Sequence, residues 1–171
     1  MSRDANAGAA PGSDGGPRNS AWMLALSLAL VFVAGGLGSL AMPDAWYAQL
    51  QKPPLNPPGW VFGPVWTTLY ALMAVAAWLV WREHRSANVR MPLAVYAVQL
   101  ALNAIWSPLF FGLHRPDLAL IDLIAMWCAV AVTLVLFWRV RPLAGGLLIP
   151  YLVWVSFAGY LNGSIWWLNR G

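Results

Sequence analysis

This chain is poor in charge, in cysteine and in histidine, and each shortage removes a class of function. Charged residues make up 9% of its 171 residues, against about 25% in an ordinary soluble domain. Too few are present to clothe a water-facing surface. The single cysteine, Cys128, allows no intrachain disulfide and reads as a small packing residue within an apolar run. The two histidines, His84 and His114, fall between apolar runs with no histidine or cysteine neighbours at metal-ligand spacing, so no metal site is expected. No glycine-rich phosphate loop, Ser/His/Asp set or carboxylate pair can be found, which removes most hydrolase and kinase chemistry. The net charge of +4 includes no basic patch with nucleic-acid spacing. No nucleic-acid partner is expected.

What is present is apolar, at 60% of the chain. Cutting at charges and prolines leaves five runs: 21–41, 60–81, 92–112, 118–138 and 143–167. At a rise of about 1.5 Å per residue, each reaches across a hydrocarbon core of roughly 30 Å. Barrel strands would be near half that length and would alternate with polar residues. The expected fold class is therefore an all-α membrane protein, a five-transmembrane-helix bundle over residues 20–171, with the lipid bilayer as its first partner. Residues 1–19, rich in Gly, Ala, Pro, Ser and Asn and without periodicity, read as a disordered tail. The first run, at about 21 residues, exceeds the 7–15 of a signal-peptide core and reads as a retained helix.

The basic residues are unevenly divided between the loops. Arg3, Arg18, Arg82, Arg85, Arg90, Arg139 and Arg141 fall on one side, and only Lys52, Arg115 and Arg170 on the other. Positive-inside bias then puts the N-terminus in the cytoplasm, with the 43–59 loop and the C-terminus outside. A helical bundle favours an inner membrane. That loop belongs to the stretch 46–66, WYAQLQKPPLNPPGWVFGPVW, which carries five prolines and the only lysine between two apolar runs. Prolines fix φ near −65° and remove backbone donors, so Lys52-Pro53-Pro54 and Asn56-Pro57-Pro58 must run extended or turned before Trp60 opens a helix. Together with Trp46 and Tyr47 these residues form a rigid aromatic lid.

Polar side chains within the apolar runs are costly unless paired or functional. Gln99, Asn103 and Trp106 recur at spacings of four and three, giving the third helix a face with two amides and an indole. They can serve as an interhelical clamp or as ligand contacts. Asp122 is the one acid at depth, with Arg115 seven residues before it; a structural pair between them, or a carboxyl capped by neighbouring helices, accounts for it better than proton transport. In the fifth run Tyr151, Trp154, Phe157, Ala158 and Leu161 fall on one aromatic face, where Ala158 leaves room beside Trp154. Trp66 and Tyr70 form a similar pair on the second. Trp60, Trp81, Trp138 and Trp166 lie near the ends of runs, where tryptophan anchors helices at the interface. Gly35, Gly36, Gly38 and Ser39, and Ala97 with Ala101, supply small residues that let helices approach within a protomer or across a dimer.

These motifs resemble a family. WYAQLQKPPLNPPGWVFGPVWTTLY, QLALNAIWSPLFFG, ALIDLI and PYLVWVSFAGYLN run in order through all five helices, and together they look like the tryptophan-rich sensory protein and translocator protein (TspO/MBR, peripheral-type benzodiazepine receptor) family over about residues 22–169. The resemblance implies a five-helix bundle, commonly a homodimer, with a pocket beneath the first loop. Family members bind porphyrins and benzodiazepine-type or isoquinoline ligands, and some bacterial relatives are assigned to the outer membrane. Carried over by motif, the pocket should involve Trp66, Asn103, Trp106, Trp154 and Ala158, beside Tyr70, Tyr151 and Leu161 from the periodicity. Two departures matter. Pro54-Leu55 replaces the usual aromatic after Lys-Pro, and the sterol consensus fails because the next basic residue after Tyr160 is Arg170.

The expected function is binding of a tetrapyrrole such as protoporphyrin IX by a sensory or translocator protein, with no obligatory cofactor. An enzymatic alternative is light- and oxygen-dependent porphyrin degradation with Trp66 and Trp154 as redox partners of the excited ring; no firm catalytic residue stands out. A second alternative is a carrier for other lipophilic molecules, although neither an internal repeat nor paired helix interruptions are seen.

Overall fold

A computed structural model describes residues 17–38 and 44–170, and all regular structure among them is helical. The expected disordered tail lies outside the described residues over 1–16, and so does the last part of the first apolar run, 39–41. Helix α1 spans Pro17–Gly38 and α2 is a short turn at Ala45–Gln49. A 3₁₀ turn at Gly59–Val61 leads into α3, Phe62–Arg82, as the proline run ends. Then come α4 (Arg90–Ser107), a π-helical turn at Pro108–Gly112, α5 (Pro116–Val140), the short α6 (Pro142–Gly146) and α7 (Ile149–Leu168).

Four helical segments are long and apolar enough to cross a membrane: Gly59–Arg82, Arg90–Gly112, Pro116–Val140 and Pro142–Leu168. Their side chains are arranged inside out relative to a soluble protein. Gln99, Thr133 and Asn162 are each only 1% exposed, whereas Ile121 and Val153 are 65% and 64% exposed. Such a surface suits hydrocarbon and would cost free energy in water at every exposed apolar side chain. The chain is a multi-pass membrane protein.

The core lies between α3, α4, α5 and α7. Met73, Ala76 and Val80 from α3 meet Tyr96, Met126, Phe137, Leu148 and Tyr151. On α5 the buried positions Ala119, Asp122, Leu123, Met126, Val130, Thr133 and Phe137 follow the spacing of three and four that one helix face demands. Cys128 falls off that stripe and is exposed on the outer surface, so it is not the interior packing residue its sequence context suggested. Helix α1 packs along α3 and α4 through the fully buried Val31. At Gly35 a Cβ would collide with the ring of Tyr70, so a glycine there brings α1 against the cavity described below.

Gly145 marks an approach of backbone to backbone. A Cβ at this position would lie 2.8 Å from the backbone N and Cα of Trp138, where α6 folds back on the end of α5. Backbone cannot retreat as a side-chain tip can. Gly145→Ala should therefore destabilise the fold by about 1–3 kcal/mol, the usual cost of overpacking, and thermal unfolding in lipid nanodiscs should show a lowered midpoint.

Candidate ligand pocket beneath the proline-rich loop

A cavity of about 480 Å³ lies at the end of the bundle nearest the α1–α3 loop. This falls within the roughly 300–1,000 Å³ typical of small-molecule sites. Phe62, Gly63, Trp66 and Tyr70 of α3 form one wall, and Trp106 and Ser107 close the end of α4. Ala158, Leu161, Asn162 and Ile165 of α7 form another, Gly35 of α1 a fourth, and Tyr47, Asn56, Pro57 and Gly59 of the loop complete the enclosure. None of these lining residues is charged.

The π-helical turn supplies what an ordinary helix would not. Pro108 has no N–H to continue the α-helical ladder, and the N–H of Leu113 donates to the Pro108 carbonyl at 2.9 Å, closing the wider turn. Phe110 and Phe111 thereby reach the cavity wall. Trp106 stacks on Phe110 with centroids 5.2 Å apart, and Phe111 meets the Trp106 ring edge-on at 5.9 Å. Such aromatic arrangements add to the area they bury.

Behind the wall runs a line of buried hydrogen bonds. The Tyr70 hydroxyl donates to Asn103 Oδ1 at 3.0 Å, Asn103 Nδ2 donates to the Tyr151 hydroxyl at 3.2 Å, and that hydroxyl donates to Gln99 Oε1 at 3.0 Å. A second set fixes the indole of Trp106, whose Nε1 donates to Asn162 Oδ1 at 3.0 Å while Asn162 Nδ2 reaches the Pro116 carbonyl at 2.7 Å. Asp122 Oδ2 and Gln99 Nε2 are buried without a protein partner. The Arg115–Asp122 pair, one of the two arrangements expected from sequence, is not formed. Arg115 instead binds Asp117 bidentately at 2.8 and 2.7 Å, because Asp117 sits in the first turn of α5 while Asp122 lies more than a turn farther along the helix.

Of the residues singled out from sequence, Trp66, Tyr70, Trp106, Ala158 and Leu161 line the cavity. Three do not. Asn103 stands one hydrogen bond behind Tyr70 and Tyr151 two, and Trp154 packs edge-on at 5.8 Å against Phe62, which does line the cavity. From the loop, Tyr47, Asn56 and Pro57 line it, whereas Trp46, Lys52, Pro53 and Pro58 do not. Pro53 is buried beneath the loop, and Lys52 places its Nζ 4.6 Å over the Tyr47 ring while donating to the Leu50 carbonyl at 3.1 Å.

The loop is fastened at two places. Asp44 caps α2 by accepting the Tyr47 N–H at 3.1 Å and meets His114 Nε2 at 3.0 Å. The Tyr47 N–H, and behind it His114, hold the Asp44 carboxyl below the ordinary carboxylate range. At the other end Asn169 accepts the Gln51 N–H at 2.9 Å and returns a donor to the Gln51 carbonyl at 3.0 Å, joining the loop to the end of α7. Phe62, Phe110, Phe111, Asn162, Ile165 and Gly35 were not singled out as site residues. Only the aromatic doublet in SPLFFG offered a signal, and its direction depended on the π turn.

The arrangement defines a class first: a multi-pass helical membrane protein with an uncharged aromatic cavity under a proline-rich loop. Residues 24–168 match the TspO/MBR family, and the chain belongs to it. It is 44% identical over 139 residues to protein CrtK of Rhodobacter capsulatus, covering 81% of this chain and 87% of that protein. It is 47% identical over 128 residues to the translocator protein of Homo sapiens (74% and 76%) and 43% identical over 152 residues to the tryptophan-rich sensory protein of Cereibacter sphaeroides (88% and 94%).

Tyr151→Phe should leave Gln99 and Asn103 each short of a partner inside the bundle. The expected loss is about 1–2 kcal/mol, the upper range for such bonds in membranes. Chemical denaturation in mixed micelles should register it with helix content unchanged.

Proposed function

We infer that this protein is a membrane sensory or translocator protein whose cavity takes a tetrapyrrole, protoporphyrin IX in the first place, and which regulates or handles porphyrin intermediates. The observation that carries this reading is the uncharged wall of ring faces from Tyr47, Trp66, Tyr70, Trp106 and Phe110. Such a wall suits a flat apolar ring system held by stacking and shape. Charged propionates belong at the mouth, beside the Lys52 ammonium over Tyr47. No histidine lines the cavity, so the reading does not depend on axial ligation of iron, and metal-free porphyrin suits it at least as well as haem. The names of the relatives, translocator protein and tryptophan-rich sensory protein, support the sensory or translocator part of this reading.

In this reading α1 is the fifth span: at 22 residues it is about 33 Å long, enough for the hydrocarbon core. The basic residues then favour an inner membrane with the N-terminus cytoplasmic. A homodimer is favoured by the outward position of Ala97 and Ala101 on α4, where a second copy can approach closely.

Photo-oxidative degradation of the bound ring is a second reading, favoured by one observation: Trp66 is in the wall itself, within reach of an excited ligand. Trp154, behind Phe62, would act only at one remove. A light-dependent product with new absorption that disappears in Trp66→Phe would support it, and bleaching equal to that of free porphyrin would end it. Carriage of other lipophilic molecules is the remaining alternative.

The test is a titration of the detergent-solubilised protein with protoporphyrin IX, followed by tryptophan quenching. Ala158→Leu adds bulk within the wall and should weaken binding at least tenfold, whereas Trp154→Leu, acting through Phe62, should weaken it less. Saturable binding unchanged in folded Ala158→Leu protein would exclude this cavity as the tetrapyrrole site.

A further inference from the structure

We propose that Asp44, Trp46 and His114 form a pH-sensitive clasp that controls opening of the loop over the cavity, so that ligand exchange is slower when His114 is protonated. The clasp joins two separate parts of the chain. His114, in the α4–α5 connection, places Nε2 3.0 Å from Asp44 Oδ2 at the start of α2 and stacks its ring on Trp46, with centroids 4.3 Å apart and planes 19° from parallel. Its backbone is held at φ 53°, a left-handed conformation that is uncommon without glycine but more frequent for histidine than for bulkier side chains. That unusual backbone turns the imidazole to meet both partners together.

Residues next to this clasp form the cavity wall. Tyr47 follows Trp46, and its ring meets Phe110 at 6.1 Å and Phe111 at 5.3 Å, both of which line the cavity. Trp46 also contacts Phe110 edge-on at 5.9 Å. Releasing Asp44 and Trp46 from His114 would therefore free the segment that carries one wall residue and supports another.

The sign follows from the chemistry of the pair. Histidine changes charge between about pH 5 and 8. Protonated, His114 offers Asp44 a charge-assisted hydrogen bond and presents a cation to the face of Trp46. Neutral, it offers at most an ordinary hydrogen bond. Its charged chain neighbour Arg115 is engaged with Asp117. Among the described residues, Asp44 is the only ion-pair partner found for His114. Asp44 sets the acid limit. Its lowered carboxyl supports the clasp above its own titration, and this support is lost as pH falls through it. The clasp is thus tightest with His114 protonated and Asp44 ionised. Both side chains are partly exposed, at 41% and 45%, so the effect is that of a surface ion pair, about two- to fivefold in the open-to-closed ratio.

The Gln51–Asn169 fastening provides an internal comparison, because it is made of amides and has nothing to titrate. The inference rests on the loop moving as a lid, not on the identity of the ligand, so the test can be run without one. In a Cys128→Ser background, spin labels at Leu55→Cys on the loop and Leu143→Cys on α6 would report loop opening in the full chain in nanodiscs. The His114 ring resonances would be titrated by NMR in parallel. The closed-to-open ratio should rise two- to fivefold as His114 protonates. His114→Gln should abolish that dependence, and His114→Arg should hold the ratio at its higher value wherever Asp44 is ionised. Asn169→Ala should open the loop at all pH values while leaving the dependence intact. A closed population that stays flat while the His114 resonances titrate, or a pH dependence that survives in His114→Gln, would overturn the proposal. Porphyrin binding lost or retained in the separate titration would bear on the ligand and leave this result as it stands.

Discussion

Water is absent from the core of a bilayer, so an inward-facing hydroxyl or amide must find its partner within the protein. The Tyr151 hydroxyl meets this requirement for three helices. From α7 it accepts from Asn103 and donates to Gln99, both on α4, and Asn103 in turn accepts the Tyr70 hydroxyl of α3. The aromatic wall stands on this line. Tyr70 cannot turn freely in the cavity while its hydroxyl is held, and Trp66, 5.3 Å from Tyr70 and 6.3 Å from Tyr151, rests against both. The polar residues of the bundle fix the positions of the apolar surfaces that line the cavity.

The loop works by a different balance. Its prolines cut the conformational freedom of the connection and remove donors that would otherwise need partners. Its hold on the bundle rests on a few contacts at the rim: a carboxylate with an imidazole, an asparagine with a backbone amide, and two rings on Phe110 and Phe111. Deep bonds give the cavity its shape, while the loop over it is held by exposed ones of smaller worth.

Much of this could be read from sequence because bilayer thickness leaves few choices. Long apolar runs bounded by charge and proline had to be helices, and Trp66 and Tyr70, or Ala158 and Leu161, had to share a face by helical spacing. The rest depended on how those helices rotate against one another. Trp154 shares its helix with Ala158, yet Phe62 from α3 covers it, and a single-helix pattern carries no trace of that neighbour. Phe110 and Phe111 escaped notice because the π turn after Ser107 shifts the helical register, so counting in threes and fours misplaces both rings. Arg115 was paired in expectation with the one buried acid, but Asp117 was nearer and already exposed at the helix start.

The cavity occupies one end of the bundle only. Past Tyr151 the interior fills with Met73, Val80, Phe137 and Leu148, each no more than 1% exposed, and at the far end α6 presses its backbone on that of α5 at Gly145. In this conformation the molecule is a cup, not a tube.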